Sequence, residues 1–482
     1  MGRVANSAST VFERNRPDPA LVKRALAPSE RGSFWLDDAT APAHPPLRAD
    51  TSCDLAVVGG GYSGLWTALL AKQAEPDARV VLLEARTVGW AASGRNGGFC
   101  EASLTHGEEN GRSRFADEYD QLERLGIRNL DEIQATVDAL ALDCDFERNG
   151  AIDVATEPHQ VDWLRDAAGG AGARFLDADA MRAEVASPTY LAGLLHAHDS
   201  ALVHPAKLAY ELARACVEAG VEIFEHTRVA ALDTSAPATA DGVDVRTAAG
   251  STVHAHRVAL GTNVFPSLLK RNRLATVPVY DYVLMTEPLS QAQLASIGWN
   301  GRQGIGDSAN QFHYYRLSAD NRILFGGYDA VYHYGRRVRQ RYEERPATFE
   351  RLASHFFTTF PQLEGVTFTH RWAGAIDTCS RFCAFFGSAR GARIAYATGY
   401  TGLGVGATRF GAQVMLDLLA GEPTERTELK MVQSRPIPFP PEPLASIGIQ
   451  ATRWSLDRAD HNAGRRNLIL KALDAVGLGF DS

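Results

Sequence analysis

The chain has 482 residues, with 49 Lys and Arg against 57 Asp and Glu and a formal net charge of −8. That balance leaves no electrostatic footprint for nucleic acid or an anionic membrane. At 45% hydrophobic and 22% charged residues the composition is that of a globular protein with room for two or more domains.

Residues 1–50 are rich in Pro, Arg and Asp, with little periodicity and no apolar signal-peptide core. They read as an extended arm on the body, anchored at Ser33-Phe34-Trp35-Leu36. Asp54–Val58 is a short apolar strand. Gly59, Gly61 and Gly64 then hold the G-x-G-x-x-G spacing at the turn into a helix over Ser63–Ala74. The first glycine permits the tight turn, the second lets backbone approach a pyrophosphate, and the third lets helix and strand pack closely. An anionic phosphate suits that helix N-terminus. Arg79–Leu83 is a second strand. Glu84 closes it with an acid able to accept hydrogen bonds from a ribose, which disfavours NADP. Gly89–Gly98, GWAASGRNGG, is too irregular for helix or strand and reads as a loop that approaches a ligand closely.

Further on, Phe115–Leu142 has helical spacing, Gly150–Thr156 reads as a strand and Pro158–Gly169 as a polar helix. A helix over Ala206–Ala219 follows Pro205. Val221–Phe224, Arg228–Leu232, Gly242–Arg246 and Thr252–Leu260 read as strands. Pro278–Thr286 and Phe312–Gly327 alternate apolar or aromatic with polar residues, the pattern of antiparallel strands. Their Tyr280, Tyr282, Phe312, Tyr314 and Tyr315 form either an aromatic wall for a small ligand or ordinary half-buried sheet. Arg316 pairs with a substrate anion or, better, serves the fold. Arg337–Phe360 is charged, with a helical stripe at Tyr342, Phe349, Leu352, Phe356 and Phe360, and reads as a surface helix packed on the domain edge. Ile394–Gly399, the glycine loop Tyr400–Gly406 and a helix over Ala407–Ala420 repeat the strand, glycine loop and helix arrangement. The tail ends in a packed helix. Cysteines at 53, 100, 144, 216, 379 and 383 outline no disulfide framework, and Cys379 with Cys383 lacks the second pair of a metal site. No apolar run reaches the length of a membrane span, so a cytoplasmic protein without a membrane partner is expected.

These motifs resemble the D-amino-acid-oxidase-like superfamily of FAD-dependent oxidoreductases. The G-x-x-A-S-G-R-N-G-G form of Gly89–Gly98 is most similar to the branch holding gamma-glutamylputrescine oxidase, glycine oxidase and sarcosine oxidase. The resemblance implies an α/β fold: an FAD-binding Rossmann-like βαβ domain (51–110, 200–265 and 370–430) interleaved with an α+β substrate domain built on a mostly antiparallel β-sheet (111–199 and 266–369). The arm, 1–50, and a tail, 431–482, flank them. It implies FAD held by Gly59, Gly61, Tyr62, Ser63, Gly64, Glu84, Ala85 and Arg86, and by Ala92, Ser93, Gly94, Arg95, Asn96, Gly97 and Gly98. Val229 is placed near the adenosine half; Gly399, Gly402, Leu403, Gly404 and Val405 are placed against the flavin ring. Amino-acid oxidases of this superfamily grip a carboxylate with an arginine soon after a W-x-G segment. Here Trp372-Ala-Gly-Ala-Ile-Asp377 has none before Arg381, and Asp377 points to a cationic amine. Gly374 stands where the sarcosine-oxidase branch carries its flavin on a cysteine, which implies non-covalent FAD.

The implied reaction turns the C–N bond of a primary or secondary amine, polyamine-type or amino-acid-type, into an imine by hydride transfer to flavin. O2 reoxidises the flavin, giving H2O2, unless another acceptor serves. Asp377, Tyr315 and Arg316 are the candidate side chains near this chemistry. The alternatives are a flavin-dependent monooxygenase, or a dehydrogenase using another electron donor or acceptor. Gly306-Asp307 imitates the G-D segment of NADPH-using monooxygenases but precedes a strand-like FHYYRL, not a helix. A disulfide reductase needs a cysteine pair after the first helix, which this sequence lacks.

Overall fold

The structure, a computed structural model, describes residues 9–168, 172–235, 242–475 and 477–478. The ends of the expected arm and tail, and Gly169 of the polar helix, lie outside the described residues. The glycine motif organises the first of two large sheets. Its parallel centre runs Glu222–Phe224, Val80–Leu83, Thr51–Val58, Thr252–Leu260. The last strand shares one edge between two neighbours. Residues 252–255 pair antiparallel with Val243–Thr247, and Val258–Leu260 pair parallel with Ile394–Thr398. Parallel strands are covered on both faces, so they read as unbroken apolar runs. On one face Leu55, Val57, Val80 and Leu82 lie under the helices Tyr62–Ala74, Pro205–Glu218 and Gly404–Ala420. On the other, Ala56, Val58, Val81 and Leu83 meet Val243, Val245 and Phe385.

The second sheet is mostly antiparallel. It runs from Phe368–Cys379 through Thr276–Thr286, Ile323–Gly327 and His313–Leu317 to Gly304–Asp307, and then to Ala151–Ala155. Alternation along these strands sends successive side chains to opposite faces. Tyr280, Tyr282, Leu284, Tyr315 and Phe325 pack together on one face. Val283, Met285, Leu324, Trp372 and part-buried Tyr314 pack with the first domain on the other.

Two expectations are corrected and one is refined. The chain re-enters the first sheet at Phe385, not at residue 370, because Phe368–Cys379 pairs along its length with Thr276–Thr286. The helix expected within Arg337–Phe360 is confined to Pro346–Thr359, and its packing is deeper than an edge contact. Phe349, Leu352, Ala353, Phe356 and Phe357 are buried over the second sheet, with the charges confined to one stripe. The N-terminal arm is not extended: it folds into short helices at Val11–Arg14, Pro19–Leu26 and Phe34–Asp38. Asp18 caps the second through the Ala20 N–H, Pro19 occupies its first turn, and Leu21, Val22 and Ala25 are its buried stripe.

Candidate functional site

At the end of the first strand Gly59 holds φ at 115°, a region L side chains avoid, and a Cβ there would stand 2.5 Å from the Gly261 carbonyl oxygen. Gly64 packs closer still, 1.9 Å from that position to the Gly59 oxygen. A Cβ on Gly61 would meet Ser93 Oγ at 2.8 Å, and the Tyr62 N–H, the first of the helix, donates to that hydroxyl at 3.0 Å. The loop 89–98 therefore lies across the helix N-terminus, where unpaired N–H groups and the helix dipole favour an anion.

Glu84 ties turn and loop together. Its carboxylate accepts from the Gly60 N–H at 2.7 Å, the Arg86 N–H at 2.8 Å and Trp90 Nε1 at 3.0 Å. A carboxylate has about four acceptor positions, so one remains. Ala85 and Arg86 are exposed, and the Arg86 guanidinium lies 4.3 Å over the Trp90 ring. The Thr227 N–H donates to the Glu84 carbonyl at 2.7 Å, so the segment leading to Val229 runs beside the acid. Val229 itself is half-buried against the first sheet's core.

Small residues let the loop be gripped from every side. Gly94 sits against the Gly89 carbonyl and Gly98 against the Val203 carbonyl, and neither position leaves room for a Cβ. Trp35 Nε1 donates to the Asn96 carbonyl at 3.0 Å and Trp372 Nε1 to the Arg95 carbonyl at 2.8 Å. Asn96 accepts from the Gly98 N–H and donates to the Ala92 and Ser93 carbonyls. Arg95 forms an ion pair with Glu343 at 2.8 Å. Gly97 meets the Tyr314 ring.

The second glycine loop lies beside the first. Ser63 Oγ and the Tyr400 hydroxyl are 3.3 Å apart. Gly399 has φ at 76° and Gly402, exposed, at 100°. Leu403 is buried, and Gly404 and Val405 begin the helix.

Two glycine turns, an acid at the second strand end and a loop over a helix N-terminus lie side by side, and the sequence matches the family described as FAD dependent oxidoreductase over residues 54–418. The chain belongs to this family. It is 34% identical over 385 residues to the gamma-glutamylputrescine oxidoreductase of Escherichia coli strain K12, spanning 78% of this chain and 85% of that one. It is 30% identical over 395 residues to the probable oxidoreductase OrdL of Haemophilus influenzae, with the same shares. The glycine oxidase structure from Geobacillus kaustophilus overlays with a TM-score of 0.66 at 20% identity, covering 80% of this chain and all of that one, a likeness of fold. The protein is thus an FAD-dependent oxidoreductase, and the close approaches at Gly59, Gly61 and Gly64 fit the group its family takes.

The structure separates the three candidate side chains of this oxidoreductase. Asp377 is buried; its carboxylate accepts from the Gly399 N–H and from Thr398 Oγ1, so it caps the second glycine turn. Burial pushes it up to about 6. Tyr315 points to the face away from the loop, its hydroxyl 2.7 Å from that of Tyr190. Arg316 is wholly buried, donating to the Val203 carbonyl at 2.6 Å, and lies over the Trp35 ring. It supports the loop from behind. Burial lowers its pKa to about 10. Facing the loop instead are Tyr314, one of the tyrosines of the aromatic run, and Asp281, which the sequence reading did not single out. An acid inside the apolar strand VPVYDYVLMT was a signal for the second. Among the described residues no cluster of His, Cys, Asp and Glu is built to hold a metal, and no helix is long and apolar enough to cross a membrane.

Proposed function

We propose that this FAD-dependent oxidoreductase oxidises the C–N bond of a primary or secondary amine to an imine in the cytoplasm, with non-covalently held FAD. The observation that carries this is the charge of the cleft beside Gly374. It is lined by Trp90, Ala92, Asn263, Phe265 and Tyr280, and its one lining cation, Arg95, is already paired with Glu343. Such a cleft suits an amine better than a carboxylate. The name of the gamma-glutamylputrescine oxidoreductase relative supports an amine.

Gly59, Gly61, Ser63 and Ser93 would hold the pyrophosphate of FAD, Glu84 the ribose, and Gly97 and the loop at Gly402–Val405 the ring. Bound FAD supplies the two-electron acceptor for the C–N bond, with O2 as reoxidant and H2O2 as product. The protein's own residues do the positioning: Trp35, Trp372 and Arg316 fix the loop, and Phe265 and Trp90 wall the cleft against water. All six cysteines are buried free thiols, and Gly374 takes the place of an attaching cysteine, which supports non-covalent flavin.

The test is the visible spectrum of the purified protein during anaerobic addition of γ-glutamylputrescine, putrescine, N-methylglycine, glycine and aminomethylphosphonate. Bleaching by one of them supports the proposal and names the substrate class. Bleaching by NADPH and by none of the amines would replace it with the monooxygenase reading. Acid precipitation should leave the flavin in the supernatant; yellow protein in the pellet would refute non-covalent attachment. Against the monooxygenase, Gly306-Asp307 lies in the second sheet, where Asp307 binds His313 at 2.6 Å.

A further inference from the structure

The face of the second sheet that meets the glycine loop carries one acid and one hydroxyl bound to each other. Tyr314 stands opposite Gly326 on the neighbouring strand, and its ring crosses that glycine: a Cβ there would be 2.7 Å from the hydroxyl oxygen. The path ends at Asp281 on the strand beyond, whose Oδ2 accepts the Tyr314 O–H. From the other side Gly97 of the loop closes on the ring, where a Cβ would stand 2.7 Å from Cε2. Asp281 is paired across the sheet with Gly374, and a Cβ on Gly374 would meet nothing within 4 Å. The Asp281–Tyr314 pair thus lies on the sheet face that Gly374 leaves open at the edge of the cleft. Both residues are half-buried.

The pair has a fixed polarity. Asp281 Oδ1 accepts from the Tyr282 N–H at 2.9 Å, and the Gly327 N–H also points to the carboxylate. No Lys or Arg pairs with it among the described residues; besides Tyr314, the titratable group that acts on it through charge is His313, itself held between Asp307 and His355. Burial raises Asp281 only to about 6, so it is anionic at neutral pH, while Tyr314 is pushed well above its ordinary value and keeps its proton. A hydroxyl has one donor, and here the carboxylate takes it. What the oxygen has left to offer the cleft is lone pairs.

We infer that Asp281 is the positioning residue for amine selection: by taking the Tyr314 proton it turns the tyrosine oxygen into a hydrogen-bond acceptor for the N–H of the substrate amine. This rests on the amine-oxidising reading above and adds how the amine is told from a carbonyl or an ether of the same shape. Such a group would find no donor at this oxygen. Tyr314 touches the amine; Asp281 acts through it.

The test is anaerobic reduction of the holoenzyme by the fastest amine of the panel above, which separates the dissociation constant from the reduction rate. In Asp281→Asn the amide oxygen stays with the Tyr282 N–H and the NH2 faces the tyrosine, so the hydroxyl turns outward as a donor. The apparent Kd should rise about tenfold or more, with the flavin spectrum and Tm near wild type. Tyr314→Phe should lose affinity too, and the double variant should bind no worse than Tyr314→Phe alone, because the two act as one unit. A Kd within twofold of wild type in Asp281→Asn, or losses that multiply in the double variant, would overturn the inference while leaving amine oxidation standing. A wild-type flavin that none of the amines reduces would overturn both.

Discussion

Gly59 is the residue on which the proposed FAD site turns. Its φ of 115° and the 2.5 Å from a Cβ to the Gly261 oxygen allow no other side chain. Gly59→Ala should therefore lose about 2 kcal/mol or more of stability, seen as a lower Tm, and most of its flavin absorbance after gel filtration. Asp377 makes a different prediction. Its folded pKa, about 6, lies above the ordinary 3.8, so the folded state binds the proton more tightly than the unfolded. The sign is then unusual for an acid: this group contributes most to stability at low pH, and the contribution declines as pH rises from about 4 to 6. The span is at most about 3 kcal/mol. Asp377→Asn should flatten that part of the urea-unfolding free energy against pH; an unchanged slope would count against a buried ionisable cap.

At the scale of elements, the short helix Phe34–Asp38 is a clamp on the loop 89–98. Trp35, 1% exposed, donates to the Asn96 carbonyl and meets His204 edge-on at 4.7 Å between centroids. Trp35→Phe keeps most of the packing and removes the donor, at about 1–3 kcal/mol. It should show as a raised FAD dissociation constant by fluorescence titration, with the secondary structure by circular dichroism unaltered. Phe356→Ala, in the helix over the second sheet, should cost about 3–5 kcal/mol by Tm or denaturant midpoint and leave FAD affinity nearly unchanged. The glycine motif, both strands beside it and the helix behind it were legible because a strand, glycine turn and helix are written in local spacing. The choice between Tyr314 and Tyr315 was not. Two adjacent tyrosines occupy opposite faces of a strand, and only the pairing register says which face meets the loop. That register is set by the hairpin with Ile323–Gly327, and the clue was Gly326, the one small residue across which a ring can lie. The helix Pro346–Thr359 was legible from its aromatic stripe, but not its start, because Pro346 at the first turn marks the boundary and the charged run before it does not continue the helix.

For the molecule as a whole, the cofactor should bind the folded chain and not the unfolded one, so FAD at a hundred times its dissociation constant should add about 2.7 kcal/mol of stability. A Tm independent of added FAD in flavin-stripped protein would contradict the proposed FAD site. The interleaving of two sheets was legible in outline, from glycine loops far apart in sequence that suit one long cofactor. Its seams were not, since Phe368–Cys379 is assigned to a sheet by a partner strand, Thr276–Thr286, that lies far back in the chain. The same architecture governs how the protein is made. Glu30 and Arg31 pair with His370 and Arg371, and Arg371 donates to the Ser29 carbonyl across 342 residues. At about 5–20 residues per second, the first helices leave the ribosome roughly 20–70 s before the strand that receives them exists. During synthesis the buried stripe of the helix Pro19–Leu26 thus stays uncovered until the helix Pro346–Thr359 and the strand Phe368–Cys379 have been made.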